Sequence, residues 1–162
     1  MRIAVSACLL GEACRYDGRS KPCARVQELV GLGYDPFPVC PEVAGGLPTP
    51  RTPCEIVQAP WMESEKAHTA DERSWTILDA SGTDRTAAYA RGAQAELARA
   101  KEAGCKLAIL KAKSPSCGSR EVYDGTFSGT LVPGWGIAAA AFRDAGIHVI
   151  DETADFSRLA NG

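Results

Sequence analysis

The chain has 162 residues, of which 45% are hydrophobic and 23% are charged, a composition that fits one soluble domain and excludes a disordered or collagen-like chain. Eighteen basic and 20 acidic residues give a net charge of −2, so no overall basic field attracts nucleic acid or anionic lipid. No apolar run approaches the roughly 20 residues that span a bilayer, and the apolar N-terminal stretch is too short for a signal peptide. The sequence therefore predicts a cytoplasmic protein that does not act on a membrane, and it disfavours nucleic acid, including a modified tRNA, as a partner or substrate without excluding a local basic patch.

Helices and strands alternate along most of the chain. In chain order, the apolar patterns predict a strand over residues 2–6, a helix over 24–30, a strand over 34–39, a helix over 84–103, a strand over 105–110, a helix from about 133 to 145 and a strand over 147–150. Gly104 and Gly146 follow predicted helices, at the left-handed position that ends a helix before a buried strand. The alternation predicts an α/β fold, a single domain over residues 1–162 in which helices flank a small, parallel, Rossmann-like sheet.

The longest predicted helix has signals at its start and along one face. Thr83 is a favourable N-cap, and Asp84 suits the first turn. Gly92 lies inside the helix and would permit close packing. An apolar stripe at helical spacing is formed by Tyr89, Ala93, Leu97 and Ala100.

Residues 45–84 predict an irregular insertion rather than a further helix and strand. Pro48, Pro50 and Pro53 exclude a helix interior and a central strand from its first part. Residues 75–78 predict a short edge strand or one arm of a hairpin.

A short triplet, Tyr-Asp-Gly, occurs at residues 16–18 and again at 123–125. Asp-Gly favours a turn at both places. We interpret the two triplets as independent turns.

The seven cysteines are the most unusual feature of the composition. In a reducing cytoplasm they indicate metal binding, catalysis or core packing rather than disulfides. Cys8, Cys40 and Cys117 each follow a predicted strand, and the carboxyl ends of parallel strands meet at the edge where such sheets bind ligands. A single cysteine most often packs as a small hydrophobe, but three at one edge predict a shared site. The remaining cysteines are Cys14, Cys23, Cys54 and Cys105.

Residues near these cysteines favour bound thiolates. The loop at residues 114–119, Ser-Pro-Ser-Cys-Gly-Ser, can direct backbone N–H groups towards negative charge. Lys111 and Lys113 precede this loop and would stabilise thiolates. Glu42 follows Cys40 by two residues, which places a carboxylate beside a candidate ligand.

The ligand types favour iron and sulfur over zinc. A closed zinc site needs a fourth ligand, and both histidines are poorly placed, because His68 lies in the insertion and His148 lies within a predicted strand. Soft thiolates suit an iron–sulfur cluster. With three protein thiolates, one iron of such a cluster would lack a protein ligand and could act as a Lewis acid on a substrate atom.

Three stretches of sequence carry a family resemblance. They are SACLLGEACRYDG at residues 6–18, CPEVAGGLPTPR at 40–51 and KSPSCGSREVYDGTFSGTL at 113–131. Together they closely resemble a bacterial family, long described as a domain of unknown function, that includes the thiouracil desulfidases. The resemblance covers essentially the whole chain. The characterised members that the chain resembles carry a [4Fe-4S] cluster held by three cysteines, and its fourth iron takes the sulfur of the substrate.

The resemblance implies a set of cluster ligands. Cys8, Cys40 and Cys117 match the three ligand positions. Cys14 is the rival for one of these roles, because it lies in the same motif as Cys8. Cys105 opens a predicted strand at the end opposite to the site, which predicts a core position.

The resemblance also implies two catalytic groups. Glu42 matches the catalytic carboxylate and Ser114 matches the catalytic serine, with Ser116 as the rival for the serine. Cys54 follows the second motif, which predicts a position near the site, and Cys23 matches no assigned role.

The implied reaction is the hydrolytic, non-redox removal of sulfur from a thiolated base or nucleoside such as a thiouracil, which gives the oxo base and sulfide. Glu42 would be the general base for water, and the serine would orient the substrate or shuttle a proton. The alternative function is that of a sulfur carrier, a thiol- and metal-binding module without turnover of its own.

Overall fold

The computed structural model describes residues 1–57 and 75–160, and these residues form eight strands and five α-helices. The strands are β1 (Arg2–Ser6), β2 (Asp35–Val39), β3 (Cys54–Val57), β4 (Thr76–Asp79), β5 (Leu107–Leu110), β6 (Glu121–Tyr123), β7 (Leu131–Pro133) and β8 (His148–Asp151). The helices are α1 (Ala24–Gly31), α2 (Pro41–Ala44), α3 (Thr86–Glu102), α4 (Ile137–Asp144) and α5 (Ser157–Ala160), and a 3-10 turn over Ala7–Leu10 follows β1. None of the helices in this part of the chain is long and apolar enough to cross a membrane.

Four strands form a parallel sheet in the order β2-β1-β5-β8. Helices lie between successive strands of this sheet, as parallel pairing requires. The predicted α/β fold with a small, parallel, Rossmann-like sheet is confirmed. Because β1 lies between β2 and β5, the segments that leave the carboxyl ends of these three strands are neighbours in space.

The two faces of the sheet are covered by different helices. Ile3 and Val5 point to one face, where they pack in a buried cluster with Leu29 of α1. Ala4 points to the other face and shares a cluster with Phe142 of α4, to which α3 also contributes. Burial of each large apolar side chain contributes roughly 1.5–3 kcal/mol relative to leaving it exposed. These two cores hold the sheet and fix the positions of the strand ends.

Two antiparallel pairs complete the described structure. β3 pairs with β4 inside the predicted insertion, so the predicted edge strand or hairpin arm at residues 75–78 corresponds to β4. β6 pairs with β7. Both pairs contribute to a third buried cluster, which also contains Tyr89 of α3.

α3 begins later than the sequence predicts, and the prediction of Thr83 as its N-cap is wrong. Asp79 at the end of β4 accepts a 2.9 Å hydrogen bond from the backbone N–H of Thr83, which holds Thr83 in a turn before the helix. Asp84 also precedes α3, and its side chain accepts a 2.8 Å hydrogen bond from the N–H of Thr86. The prediction that Asp84 lies in the first turn is therefore wrong, although its carboxylate accepts an N–H of that turn from outside the helix.

α4 also begins later than residue 133, because Pro133 ends β7 and pairs with Glu121. The first N–H groups of α4 instead reach the loop between β5 and β6. Gly136 N–H donates to the carbonyl of Gly118 at 2.6 Å, and Ile137 N–H donates to the carbonyl of Pro115 at 2.9 Å. The start of α4 thereby fixes the conformation of that loop.

α2 and α3 pack with their backbones in direct contact. A Cβ atom added to Gly92 of α3 would lie 1.7 Å from the carbonyl oxygen of Pro41, and one added to Gly45 would lie 2.1 Å from that of Ala88. Only glycine can occupy either position without moving a helix. The predicted close packing at Gly92 thus brings α2 against α3.

Candidate active site

A cavity of about 610 Å³ lies at the carboxyl edge of the parallel sheet. Its volume falls within the range of about 300–1,000 Å³ that is usual for small-ligand sites. The segments that follow β1, β2 and β5 line it, together with residues of β3 and of the turn between β6 and β7. Five of the seven cysteines line this cavity, namely Cys8, Cys14, Cys40, Cys54 and Cys117.

The three cysteines predicted as ligands surround the cavity from three adjacent strands. Cys8 lies in the 3-10 turn that follows β1, and its side chain is buried. Cys40 directly follows β2 and is half-buried, whereas Cys117 is buried in the loop that follows β5. The sheet order brings the three together, since β1 lies between the other two strands.

The thiol of Cys14 is hydrogen-bonded within the same group of cysteines. Its hydrogen bond with Cys40 lowers its pKa, but a hydrogen bond with Cys8 and burial outweigh that effect and raise the pKa of Cys14 to about 11. The hydrogen bond with Cys14, and then burial, raise the pKa of Cys40. Burial is the main cause that raises the pKa of Cys117 to about 12. These groups are therefore neutral thiols near pH 7 without a metal, and metal binding would displace their protons.

The donor set, several cysteine thiols at one cavity, fits an iron–sulfur cluster. Among the described residues, no group of three or more His, Cys, Asp or Glu side chains could hold one metal ion. Thiolates around zinc all lie about 2.3 Å from the same ion, whereas the ligands of a cluster bind different irons and stand farther apart. His148 is exposed at the start of β8, at the opposite end of the sheet, and His68 lies outside the described residues. Soft sulfur donors are thus the ligands that the cavity offers.

Glu42 is held by hydrogen bonds to both of its carboxylate oxygens. It lies in the first turn of α2, and its side chain is 14% exposed. Arg51 Nε and Tyr89 OH each donate to Oε1 at 3.0 Å. Ser116 Oγ donates to Oε2 at 2.7 Å. The contact between α2 and α3 explains why Tyr89 reaches this carboxylate, since both helices lie against each other at Gly92.

The hydroxyl of Tyr89 remains a donor at physiological pH. Burial raises the pKa of Tyr89 above its ordinary value, and the negative charge of Glu42 raises it further. The phenol therefore stays protonated and keeps the hydrogen that it donates to Glu42.

Ser114 and Ser116 form a chain of hydroxyl groups that ends at Glu42. Their Oγ atoms are 2.9 Å apart. Ser114 Oγ is 3.5 Å from Glu42 Oε2, which is long for a hydrogen bond, whereas Ser116 is in direct contact. Ser116 is 2% exposed and Ser114 is half-buried at the cavity. Ser114 Oγ also accepts the N–H groups of Ser116 and Cys117, each at 3.2 Å, so it helps to shape the loop.

Arg51 connects three segments around the cavity. Besides Glu42, it donates through Nη1 to the carbonyl of Pro48 at 3.2 Å and through Nη2 to the carbonyl of Cys14 at 2.8 Å. Arg51 lies within the second sequence motif, which predicts no role for it. The helical spacing predicts Tyr89 only as part of an apolar stripe. Its hydroxyl contact could have been expected because a buried tyrosine hydroxyl usually finds a hydrogen-bond partner.

The other predicted positions divide between cavity and core. Cys54 lines the cavity near the site, as predicted, where its thiol contacts Tyr89. Cys105 is 3% exposed within a core cluster, which agrees with its predicted core position. Lys111 and Lys113 line the cavity, and the Nζ atom of Lys111 lies 2.7 Å from a carboxylate oxygen of Glu152.

Comparisons with known proteins give a consistent result. A protein of Bacillus subtilis (strain 168), described as the uncharacterized protein YbbK, is 43% identical over 150 residues, which are 93% of this chain and 95% of that protein. A solved structure described as the [4Fe-4S]-dependent thiouracil desulfidase TudS (DUF523Vcz) is 38% identical, with a TM-score of 0.78 over 99% of this chain and 95% of that one. Residues 3–154 match the family model described as 2-thiouracil desulfurase. The resemblance drawn from the sequence is confirmed, and the chain belongs to the 2-thiouracil desulfurase family.

Proposed function

We propose that this chain is a [4Fe-4S]-dependent thiouracil desulfidase, which replaces the sulfur of a thiolated base by oxygen from water. Membership of the 2-thiouracil desulfurase family and similarity to a solved [4Fe-4S]-dependent desulfidase support the proposal. The observation that carries it is the placement of three strand-end cysteines and the Glu42 carboxylate around one cavity.

Cys8, Cys40 and Cys117 would hold the cluster. Each comes from a different strand end, which suits ligands to three different irons. When bound, the cluster supplies a soft Lewis acid, an iron without a protein ligand that polarises the C=S bond of the substrate.

Glu42 is the general base that takes a proton from the attacking water. Its Oε1 accepts hydrogen bonds from Arg51 and Tyr89, which fix the orientation of the carboxylate. Oε2 is the oxygen that accepts the proton, and it faces the hydroxyl of Ser116. Because the base is positioned by three partners, little reorganisation precedes the proton transfer.

Ser114 is the hydroxyl that meets the substrate, and Ser116 connects it to Glu42. Ser114 is half-buried at the cavity wall, while the buried Ser116 lies between it and the carboxylate. Protons can pass along this chain to or from Glu42 Oε2 as water adds to carbon and sulfur leaves. The overall reaction consumes one water and yields the oxo base and hydrogen sulfide, so no oxidant or reductant is needed.

The substrate is a small thiolated base or nucleoside, and residues 1–162 act as one desulfidase domain that supplies every proposed site residue. The net charge of −2 disfavours a polyanionic nucleic acid as substrate. All seven cysteines are free thiols, which is consistent with a reducing cytoplasm.

Anaerobic reconstitution with iron and sulfide, followed by incubation with 2-thiouracil, tests the proposal. The expected result is a visible cluster absorption band together with catalytic, multiple-turnover release of sulfide and uracil. A C105S variant is the control, because Cys105 is buried in the core away from the cavity. Binding of a metal group without catalytic sulfide release would favour a sulfur carrier and contradict the desulfidase.

A further inference from the structure

The two Tyr-Asp-Gly triplets form turns of the same kind. In each, the aspartate accepts the backbone N–H of the residue two positions later, at 3.0 Å for Asp17 and 2.9 Å for Asp124. In each, the glycine has a positive φ, 74° at Gly18 and 90° at Gly125. Both tyrosines line the active-site cavity. The two turns, which the sequence alone predicts to be independent, thus present aromatic side chains to one site.

The second turn also carries a phenylalanine in an unfavourable backbone conformation. Phe127 has φ of 55°, in the left-handed region that residues other than glycine seldom adopt. Its side chain lines the cavity and is 40% exposed. It is absent from the three buried clusters of the described residues and from the side chains packed against them. Core packing therefore does not explain why a bulky aromatic residue stands at this position. Backbone strain at a residue other than glycine is concentrated at functional sites.

Backbone anchors hold the second turn independently of that ring. Glu55 of β3 accepts hydrogen bonds at one carboxylate oxygen from the N–H groups of Gly125, at 3.0 Å, and Phe127, at 3.2 Å. Gly125 lies so close to β3 that an added Cβ would be 2.6 Å from the carbonyl oxygen of Ile56. The conformation at Phe127 is thus fixed by its main chain.

Tyr16, which corresponds to Tyr123 of the second turn, is the aromatic residue of the first turn. It lines the cavity with 42% of its surface exposed, and the guanidinium of Arg15 lies 5.9 Å from the centre of its ring. The carbonyl of Tyr16 accepts a 2.7 Å hydrogen bond from the N–H of Arg51, which also binds Glu42. The first turn is therefore tied to the residue that positions the proposed base.

We propose that Phe127 and Tyr16 form a stacking site for the planar ring of the substrate, and that Phe127 makes the enzyme selective for heterocyclic over acyclic thiocarbonyl compounds. Exposed aromatic faces bind conjugated planar rings, and stacking on a base is strong without being specific for one base. The identity of the ring as a thiolated base rests on the proposed function. An acyclic thiourea offers no such ring, so it gains little from this site.

The test compares the reconstituted holoenzyme with its F127L and F127Y variants. Binding of uracil, the expected product, is measured by calorimetry, and KM and kcat are measured with 2-thiouracil and with thiourea. F127L should weaken uracil binding and raise the KM for 2-thiouracil by about 5- to 150-fold, which is the contribution of stacking one base on an aromatic side chain. The kcat and the iron content should change little. F127Y keeps a ring and should resemble the wild type. L32A is the matched control, since Leu32 is an exposed apolar residue outside the cavity.

F127G separates stacking from folding. Glycine accepts the positive φ at this position, so the melting temperature of F127G should not fall, whereas uracil binding should weaken as in F127L. A structural role for the ring predicts the opposite pattern, a lower melting temperature with unchanged uracil binding, and that pattern would overturn the stacking proposal.

The outcomes for stacking and for the desulfidase activity are distinguishable. If the wild type releases sulfide from 2-thiouracil but F127L leaves KM and uracil binding unchanged, stacking is wrong and the proposed function stands. If no sulfide is released but F127L still weakens uracil binding, the proposed function is wrong and the stacking site stands. If the wild type binds neither uracil nor 2-thiouracil, the stacking site is wrong.

Discussion

Ser116 donates a 2.7 Å hydrogen bond to Glu42 across the gap between two segments that each carry a proposed cluster ligand. Ser116 directly precedes Cys117, and Glu42 follows Cys40 by two residues. One hydrogen bond thus links the loop after β5 to the segment after β2. It also sets the distance between the proposed base and two of the ligands, so the cluster and the base are positioned together.

The two serines are expected to act as one unit. S114A and S116A should each lower kcat, because either change interrupts the chain of hydroxyl groups that ends at Glu42. The S114A/S116A double variant should be little worse than the poorer single variant, since residues that act together are not additive. Steady-state kinetics on reconstituted protein with measured iron content provide the comparison. Losses that multiply in the double variant would show that the serines act independently.

The proposed base can be separated from cluster binding by E42Q, which retains the shape of the side chain and removes its charge and basicity. Cluster absorption and 2-thiouracil binding should persist, while turnover should fall by about 10²–10⁴-fold, the usual contribution of a positioned general base. Anaerobic absorption spectra and sulfide release measure the two effects. Normal turnover would place the base elsewhere, and loss of the cluster would make Glu42 a structural or coordinating residue.

G92A should damage both stability and activity. The added Cβ would lie 1.7 Å from the carbonyl oxygen of Pro41, so α2 must move away from α3, at a cost of about 1–3 kcal/mol. Movement of α2 would also draw Glu42 away from Tyr89, and kcat should therefore fall. Thermal melts and kinetics measure these changes. The control is G31A, because nothing lies within 4 Å of a Cβ added at Gly31. Equal behaviour of the two variants would argue against the role given to this helix contact.

Asp79 should contribute to the acid sensitivity of folding. The backbone N–H of Thr83, together with hydrogen bonds from Ser81 and Arg85, holds the pKa of Asp79 below its ordinary value. Because the pKa of Asp79 is lower in the folded state, its ionised carboxylate stabilises the fold at pH values above the unfolded-state pKa of about 4. This stabilisation is lost as the pH falls through the folded-state pKa. D79N should therefore reduce stability at neutral pH and flatten the loss of melting temperature in acid. If the melting temperatures of the wild type and D79N fell by the same amount as the pH was lowered, this account would be contradicted.

The positions of the three ligand candidates could be predicted because they depend on local patterns. Apolar runs bounded by glycine mark the strands, and a residue that follows a parallel strand must lie at the carboxyl edge of the sheet. This reasoning alone predicts Cys8, Cys40 and Cys117 at that edge, and the structure brings all three to one cavity.

The partners of Glu42 could not be predicted in the same way. Tyr89 reaches the carboxylate only because glycines allow α2 and α3 to touch, and no local pattern specifies that contact. Arg51 reaches it from an irregular loop. Thr83 matched the sequence preference for an N-cap, but the hydrogen bond of its N–H to Asp79 overrides that preference. Tertiary contacts of this kind decide the details of the site, whereas local patterns decide its location.

The ligand assignment is tested most directly by the iron content of anaerobically reconstituted cysteine variants. C8S, C40S and C117S should each fail to retain a full [4Fe-4S] complement, because each removes one of the three protein thiolates. C14S should retain it, as should C105S, whose cysteine is buried in the core. Loss of iron in C14S, with full iron in C8S, C40S or C117S, would contradict the assignment and make Cys14 a ligand.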